Sequence, residues 1–331
     1  MNIAHFKTDR LASLARAVRF CATNDSVAGF VGLLVVIVLA GYFGPPTYPE
    51  PVITKLAQRP GIAQGIAASR DGSVFMTFRG DEALFRLDAR TRAMEAVTTL
   101  HNPGAVASDG NGGAYVAYSV DPGYGDVFHT ALGLVTRSGV TEVLRVPSNI
   151  GGIATDGQGT IFATAGEIWK VTPDGRKTLL AGAELEGEAV RYLLPVGVAV
   201  NALGQMLVVD DRHAVFLVEG GKVRQLAGRV GECDFADGIG DSARFCGPAA
   251  AVADIDGSFL VVDQDCAVRK VTAEGRVTTV IGLPDRGPKG VVQLPGEECR
   301  PWVRSIAVDS NGDILLAARS ALRVQLRKLA K

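Results

Sequence analysis

A short pattern recurs six times along this chain: a small apolar strand, a polar turn ending in glycine, and a second apolar strand. The copies read GIAASRDGSVFMTF (65–78), AVASDGNGGAYVAY (105–118), GIATDGQGTIFATA (152–165), GVAVNALGQMLVVD (197–210), AVADIDGSFLVVD (251–263) and SIAVDSNGDILLAA (305–318). Their turn glycines, Gly72, Gly112, Gly159, Gly204, Gly257 and Gly312, are separated by 40, 47, 45, 53 and 55 positions. A unit that long has room for several strands. Alone it cannot bury its own apolar face, so neighbouring units must stack. Few architectures satisfy that.

Each unit continues with third and fourth apolar runs. Residues 168–171, 215–218 and 268–271 read as third strands, and 177–181, 223–227 and 277–281 as fourth strands, parted by turns such as Pro173-Asp174-Gly175. Four antiparallel strands in each of six units, with little room for helix, predict an all-β, six-bladed β-propeller. The last unit ends after its third strand, 322–329. Residues 52–57, VITKLA, resemble the fourth strand at 222–227, KVRQLA. The N-terminal strand is therefore expected to complete the C-terminal blade and cover an exposed edge.

Composition agrees. Forty glycines stand against 13 Phe, 6 Tyr and 2 Trp, the balance of a chain built from short strands and tight turns. With 47% hydrophobic residues a large core can be buried. Net charge is −1 and no basic stripe occurs, so nucleic acid is excluded as a partner.

Residues 27–43, VAGFVGLLVVIVLAGYF, are apolar on every face, and nothing from Ser26 to Pro49 is charged. Seventeen residues of helix span roughly 26 Å, close to the ~30 Å hydrocarbon core of a bilayer. Ahead of the run, Lys7, Arg10, Arg16 and Arg19 outweigh Asp9 and Asp25. The positive-inside rule then predicts a single-pass anchor with a cytoplasmic N-terminus and an extracytoplasmic propeller. The expected division is a cytoplasmic segment (1–26), a transmembrane anchor (27–44) and the propeller (45–331). A cleaved leader is the alternative, since Val38-Leu39-Ala40 suits a signal peptidase.

The units also resemble NHL repeats, a class of propeller blade. The match is best from Pro248 to Gly282, through Asp254-Ile255-Asp256-Gly257, Leu260-Val261-Val262-Asp263, Val268-Arg269-Lys270-Val271 and Val277-Thr278-Thr279-Val280-Ile281-Gly282. The segment 236–245, ADGIGDSARF, is similar to the linker of one NHL subgroup. The resemblance covers roughly residues 50–329 and implies the fold; its motif residues are structural. The His-Arg pair usual at the second NHL hairpin is absent throughout.

Candidate chemistry is sparse. Asp109, Asp156, Asp254 and Asp309, with Asn201, recur at first hairpins, where such side chains bond turn amides. The fold also resembles that of lactonase-type hydrolases and amidating lyases, which hold a metal on the propeller axis. Here the axis-facing positions are expected to be Gln64, Gly104, Gly151, Val196, Ala249 and Arg304, followed by Gly65, Ala105, Gly152, Gly197, Ala250 and Ser305. They are small and mostly non-ligating, so no metal, cofactor or catalytic residue is assigned. His101, His129 and His213 fall in loops of one face with Asp210, Asp211, Asp263 and Asp265, leaving a His/Asp metal site there as an alternative. That face also carries Cys233, Cys246, Cys266 and Cys299. Disulfides Cys233–Cys246 and Cys266–Cys299 are expected in an oxidising compartment, with Cys246–Cys266 the rival pairing and zinc the other alternative.

The leading expectation is a binding or scaffolding module that presents its linker-loop face, including the insertion 121–129, to a protein or small ligand. The candidate contacts are Gln64, Arg300, Trp302, Arg304 and His213, because Trp and Arg dominate binding hot spots. An extracytoplasmic enzyme of lactonase or lyase type, using a metal near the axis, is the alternative.

Overall fold

The local reason for each hairpin is visible in its turn. Asp109 Oδ1 accepts from the amides of Asn111 and Gly113, Asp309 Oδ1 from those of Asn311 and Asp313, and Asn201 Oδ1 from those of Leu203 and Gln205. The turn glycines Gly72, Gly112, Gly204, Gly257 and Gly312 have φ between 76° and 93°, which a Cβ would oppose. These side chains are turn-formers. Several are also charge-paired: Lys270 Nζ lies 2.7 Å from Asp254 and 2.6 Å from Asp256, and Lys170 pairs with Asp156. Burial alone would raise Asp256, but hydrogen bonds from Lys270 and Ser258 outweigh it and hold the carboxyl down to about 2.

This computed structural model describes residues 52–56, 62–120, 129–156, 159–164, 167–172, 174–181, 194–219, 222–263, 267–282, 292–293, 303–318 and 321–325. The chain divides into the unit Glu50–Arg327 and a second, Met1–Pro49 with Lys328–Lys331, none of whose residues is among those described. The cytoplasmic segment and anchor expected at 1–44 therefore lie outside the described residues. Among the described residues no helix is long and apolar enough to cross a membrane.

Among the described residues the strands form six sheets, five of four strands and one of six. Their innermost strands are Ala63–Ala68, Val106–Ser108, Ile150–Thr155, Pro195–Val200, Ala250–Ala253 and Ser305–Val308. Each packs against the next and the last returns to the first, which makes a closed ring. The fold is an all-β propeller.

Small residues on the inner strands permit the ring to close. A Cβ on Gly152 would stand 3.0 Å from the Cα of Gly197, one on Gly197 3.1 Å from the Cα of Ala250, and one on Gly65 2.5 Å from the carbonyl oxygen of Gly104. Adjacent sheets meet backbone to backbone. The spaces between them are filled by the second and third strands, where Phe75, Phe78, Phe216, Phe259 and Leu132 are fully buried.

The chain closes on itself. Strand Val52–Lys55 pairs antiparallel with Ala321–Gln325, Val52 opposite Gln325 and Lys55 opposite Leu322. Leu56, buried at 7% exposure, joins a cluster holding Ala63 and Ile66 of the first sheet with Ala307, Leu315 and Ala317 of the last. Val52 enters at the first-hairpin end, because Val324, next to its partner Gln325, lies opposite Ile314.

One sheet departs from the four-strand expectation. It adds Gly238–Ile239, antiparallel to Arg276–Gly282, and Val292–Gln293, parallel to it. The linker 233–246 is tied to this sheet by Arg269, which is fully buried. The Arg269 guanidinium donates to Asp263 at 3.0 Å, to Asp237 at 2.9 Å, and to the carbonyls of Arg244 and Ala236. Its plane lies 4.3 Å from the Phe235 ring and 5.3 Å from that of Phe245. Asp237 in turn accepts from the Thr279 amide and hydroxyl. A disulfide, Cys233–Cys246, closes the same linker. Cys266 and Cys299, expected to form the second bridge, lie outside the described residues.

Candidate functional site

The ring has two unlike ends. At the first-hairpin end the channel narrows to a cavity of about 170 Å³. Each inner strand gives it three residues, among them Ile66, Val106, Ile153, Val198, Val252 and Ile306, and among the described residues only Ser108 and Thr155 bring hydroxyls. At the linker end the channel opens into a cavity of about 580 Å³, joined on one side by a second of about 330 Å³. Gln64, Gly104, Ile150, Asn149 and Arg304 line both.

Backbone irregularity builds this mouth. In three sheets the pairing of first and second strands skips one residue, between Ala63 and Gly65, Ile150 and Gly152, and Pro195 and Gly197. The skipped residues, Gln64, Gly151 and Val196, all line the larger cavity. A bulge re-aims the extra residue out of the alternation of its strand. All six residues expected to face the axis, Gln64, Gly104, Gly151, Val196, Ala249 and Arg304, are on that lining. So are the residues following them, Gly65 excepted.

The smaller cavity carries the polar character. Arg79, Asn102, Tyr118, Ser119 and Thr130 join Gln64, Asn149 and Arg304 around it, and among the described residues no aspartate or glutamate is on its lining. Main-chain bonds hold these groups in place. The Arg79 amide donates to the Ile62 carbonyl, the Arg304 amide to that of Ala317, and the Gly104 amide to that of Ala117. The Thr77 hydroxyl donates to the Gly104 carbonyl at 2.7 Å. Asn102 sits at φ 45°, a left-handed conformation that asparagine tolerates better than most residues. Among the described residues the one acid on the larger cavity is Asp211, on the far side of the ring.

Of the residues singled out in the sequence, Gln64 and Arg304 are brought together here. His213 is not on the lining; its Nδ1 accepts from the Gly247 amide at 3.2 Å, just behind the wall. Arg300, Trp302 and the insertion 121–128 lie outside the described residues. Sequence reasoning missed Arg79, Asn102, Tyr118 and Asn149.

The loop acids held open for a metal have other partners. Asp210, fully buried, grips Arg212 through both oxygens at 3.0 Å and accepts from the Leu194 amide. Asp263 accepts from Arg269 and from the Cys246 amide. Each fixes an entering linker to the end of its second strand. His101 pairs with Glu82 at 3.0 Å on the surface. Among the described residues no group of three His, Cys, Asp or Glu could hold a metal ion.

No family model and no curated protein matches the chain. Several solved structures share its fold. One is a Bacteroides thetaiotaomicron protein of unknown function, 17% identical, with TM-score 0.64 over 82% of this chain and 72% of that one. An auxiliary nutrient binding protein from the same organism is 15% identical, with TM-score 0.61 over 80% and 69%. Virginiamycin B lyase from Staphylococcus aureus is 12% identical, with TM-score 0.57 over 84% and 99%. At such identities the likeness is one of fold: the chain is similar to these proteins as a β-propeller.

Proposed function

We propose that the chain is a six-bladed, NHL-like propeller that binds a small polar ligand or a polar segment of a partner at its linker-end mouth. The observation that carries this reading is the contrast in side chains along the channel: a floor mostly of Ile, Val and Ala below a mouth of amides, hydroxyls and two guanidiniums. A mostly preformed concave site with a few fixed polar groups is the usual form of a binding pocket. A nutrient-binding role in a neighbour of the same fold is consistent with it.

The tether is part of the proposal. The apolar run at 27–43 and its basic leader support a membrane anchor with the propeller outside. The Cys233–Cys246 bridge supports an oxidising compartment. Strand Val52–Lys55 begins at the first-hairpin end, the end away from the mouth. A lyase reading draws on the neighbour's fold alone, and needs a general base or metal at the mouth.

Gly104→Phe tests the site. A Cβ at Gly104 would meet only the Ala117 carbonyl, at 4.0 Å, so the phenyl group can occupy the mouth without displacing backbone. The full-length chain is screened against sugars, organic acids and short peptides. Ligands found should bind the variant at least about tenfold more weakly, with the melting temperature unchanged. Undiminished affinity in a folded variant would move the site elsewhere, and consumption of the ligand would favour the enzyme.

A further inference from the structure

We infer that Asn111 is a self-modification site: at the first hairpin of the second sheet it converts to aspartate and isoaspartate, while Asn311, at the matching place in the last sheet, is protected by its surroundings. Asn-Gly occurs twice in the chain, at Asn111-Gly112 and Asn311-Gly312. The chemistry needs only water. The glycine nitrogen, its proton taken by solvent base, attacks the asparagine Cγ. The N–Cγ bond forms, the Cγ–Nδ2 bond breaks and ammonia leaves. Water then opens the succinimide ring at either of its carbonyls. Glycine in the second place favours the attack, because no β-carbon crowds its nitrogen.

The two turns are otherwise alike. In both, an aspartate Oδ1 accepts from the asparagine amide and from the amide two positions on. They differ at the attacking atom. Gly312 donates its amide to the Asp309 carbonyl at 2.9 Å, as Gly72, Gly204 and Gly257 do to Ser69, Asn201 and Asp254. No such bond holds the Gly112 amide among the described residues. Ile255, from the hairpin of the preceding sheet, covers Gly312: its Cδ1 lies 2.9 Å from where a Cβ would stand. Gly112 is exposed. Freeing Gly312 therefore costs a hydrogen bond and an apolar contact before attack begins, and such local opening limits the rate. The product disturbs its own hairpin. Isoaspartate lengthens the main chain between Asp109 and Gly113, yet a Cβ on Gly113 would already stand 2.7 Å from both Asp109 Oδ2 and the Val135 carbonyl oxygen.

The full-length chain needs no alteration for the test. It is incubated at mildly alkaline pH, and peptides spanning 109–113 and 309–313 are followed by mass spectrometry. Asn111 should gain the mass of an amide-to-acid exchange at least about tenfold faster than Asn311, the effect of roughly one hydrogen bond's opening. The rate should rise with pH, since base removes the amide proton. In denaturant the gap should close, because both pairs are then equally free. Equal rates in the folded protein, a faster Asn311, or no conversion at Asn111 overturns the inference. A gap that persists in denaturant overturns it too, by assigning the difference to flanking residues rather than to the fold.

Discussion

Replacing Arg269 by methionine is expected to destabilise the propeller by about 3–5 kcal/mol, more than any exposed charge in the molecule. The side chain is fully buried, and methionine fills much of its volume. What methionine cannot do is neutralise Asp263, which is itself fully buried and 3.0 Å from the guanidinium. Asp237 loses its partner as well, and the Arg244 and Ala236 carbonyls lose a donor. Without the guanidinium's charge and hydrogen bonds, these groups keep their desolvation cost. Arg86→Met is the comparison: Arg86 pairs with the half-exposed Asp71 at 2.6 Å, and solvent should hold its loss to about 1 kcal/mol or less. Chemical denaturation of both variants measures the difference. Adding Asp263→Asn to Arg269→Met should recover part of the loss, because it removes the stranded charge. A loss below about 1 kcal/mol for Arg269→Met would show that the linker is held by the disulfide and packing alone.

The second large effect concerns closure. A chain lacking residues 47–58 should lose more stability than Leu56→Ala, for which about 2–5 kcal/mol is the ordinary cost of emptying a buried leucine site. The deletion removes that side chain and also uncovers the edge of Ala321–Gln325, which pairs with Val52–Lys55. Because Leu56 packs with residues of both the first and the last sheet, its loss loosens the seam where the two ends of the chain meet. Unfolding should become less cooperative, and aggregation through the free edge should follow. An unchanged melting temperature for the deletion would mean the seam is sealed elsewhere.

Much of this architecture was legible in the sequence because it repeats. Turn glycines and inner-strand alternation mark each unit, and the VITKLA run betrays the closing strand by its likeness to KVRQLA. The axis positions were legible for the same reason: counting back from each turn lands on the mouth in every unit. Cys233–Cys246 was legible from the short spacing within one linker.

What repetition does not carry was missed. Arg79, Asn102 and Asn149 sit in linkers and strand ends whose lengths vary from unit to unit, so no periodic signal singles them out. Gln64 itself was legible from its place before the turn, but the bulge that turns it to the mouth was not, since bulges leave little mark in a sequence. The Arg269 hub joins residues 32 and 33 positions apart, Asp237 and Ala236, that no local motif relates. One signal was available. The second strands of two units both end LVVD, and a buried acid at the same place twice suggests a structural task. Asp210 and Asp263 each accept an amide from an incoming linker, Leu194 in one case and Cys246 in the other.

The claim that matters most is where the ligand sits, and hydrogen exchange on the full-length chain tests it without altering a residue. Amide exchange is followed by mass spectrometry, with and without a ligand recovered in the screen. If the mouth is the site, slowing should be confined to peptides covering 62–65, 102–106, 117–120 and 149–152, with the segment around Arg304. Exchange at the first hairpins, 109–113, 201–205, 254–258 and 309–313, should not change. Protection at those hairpins with an unaltered mouth would contradict the account.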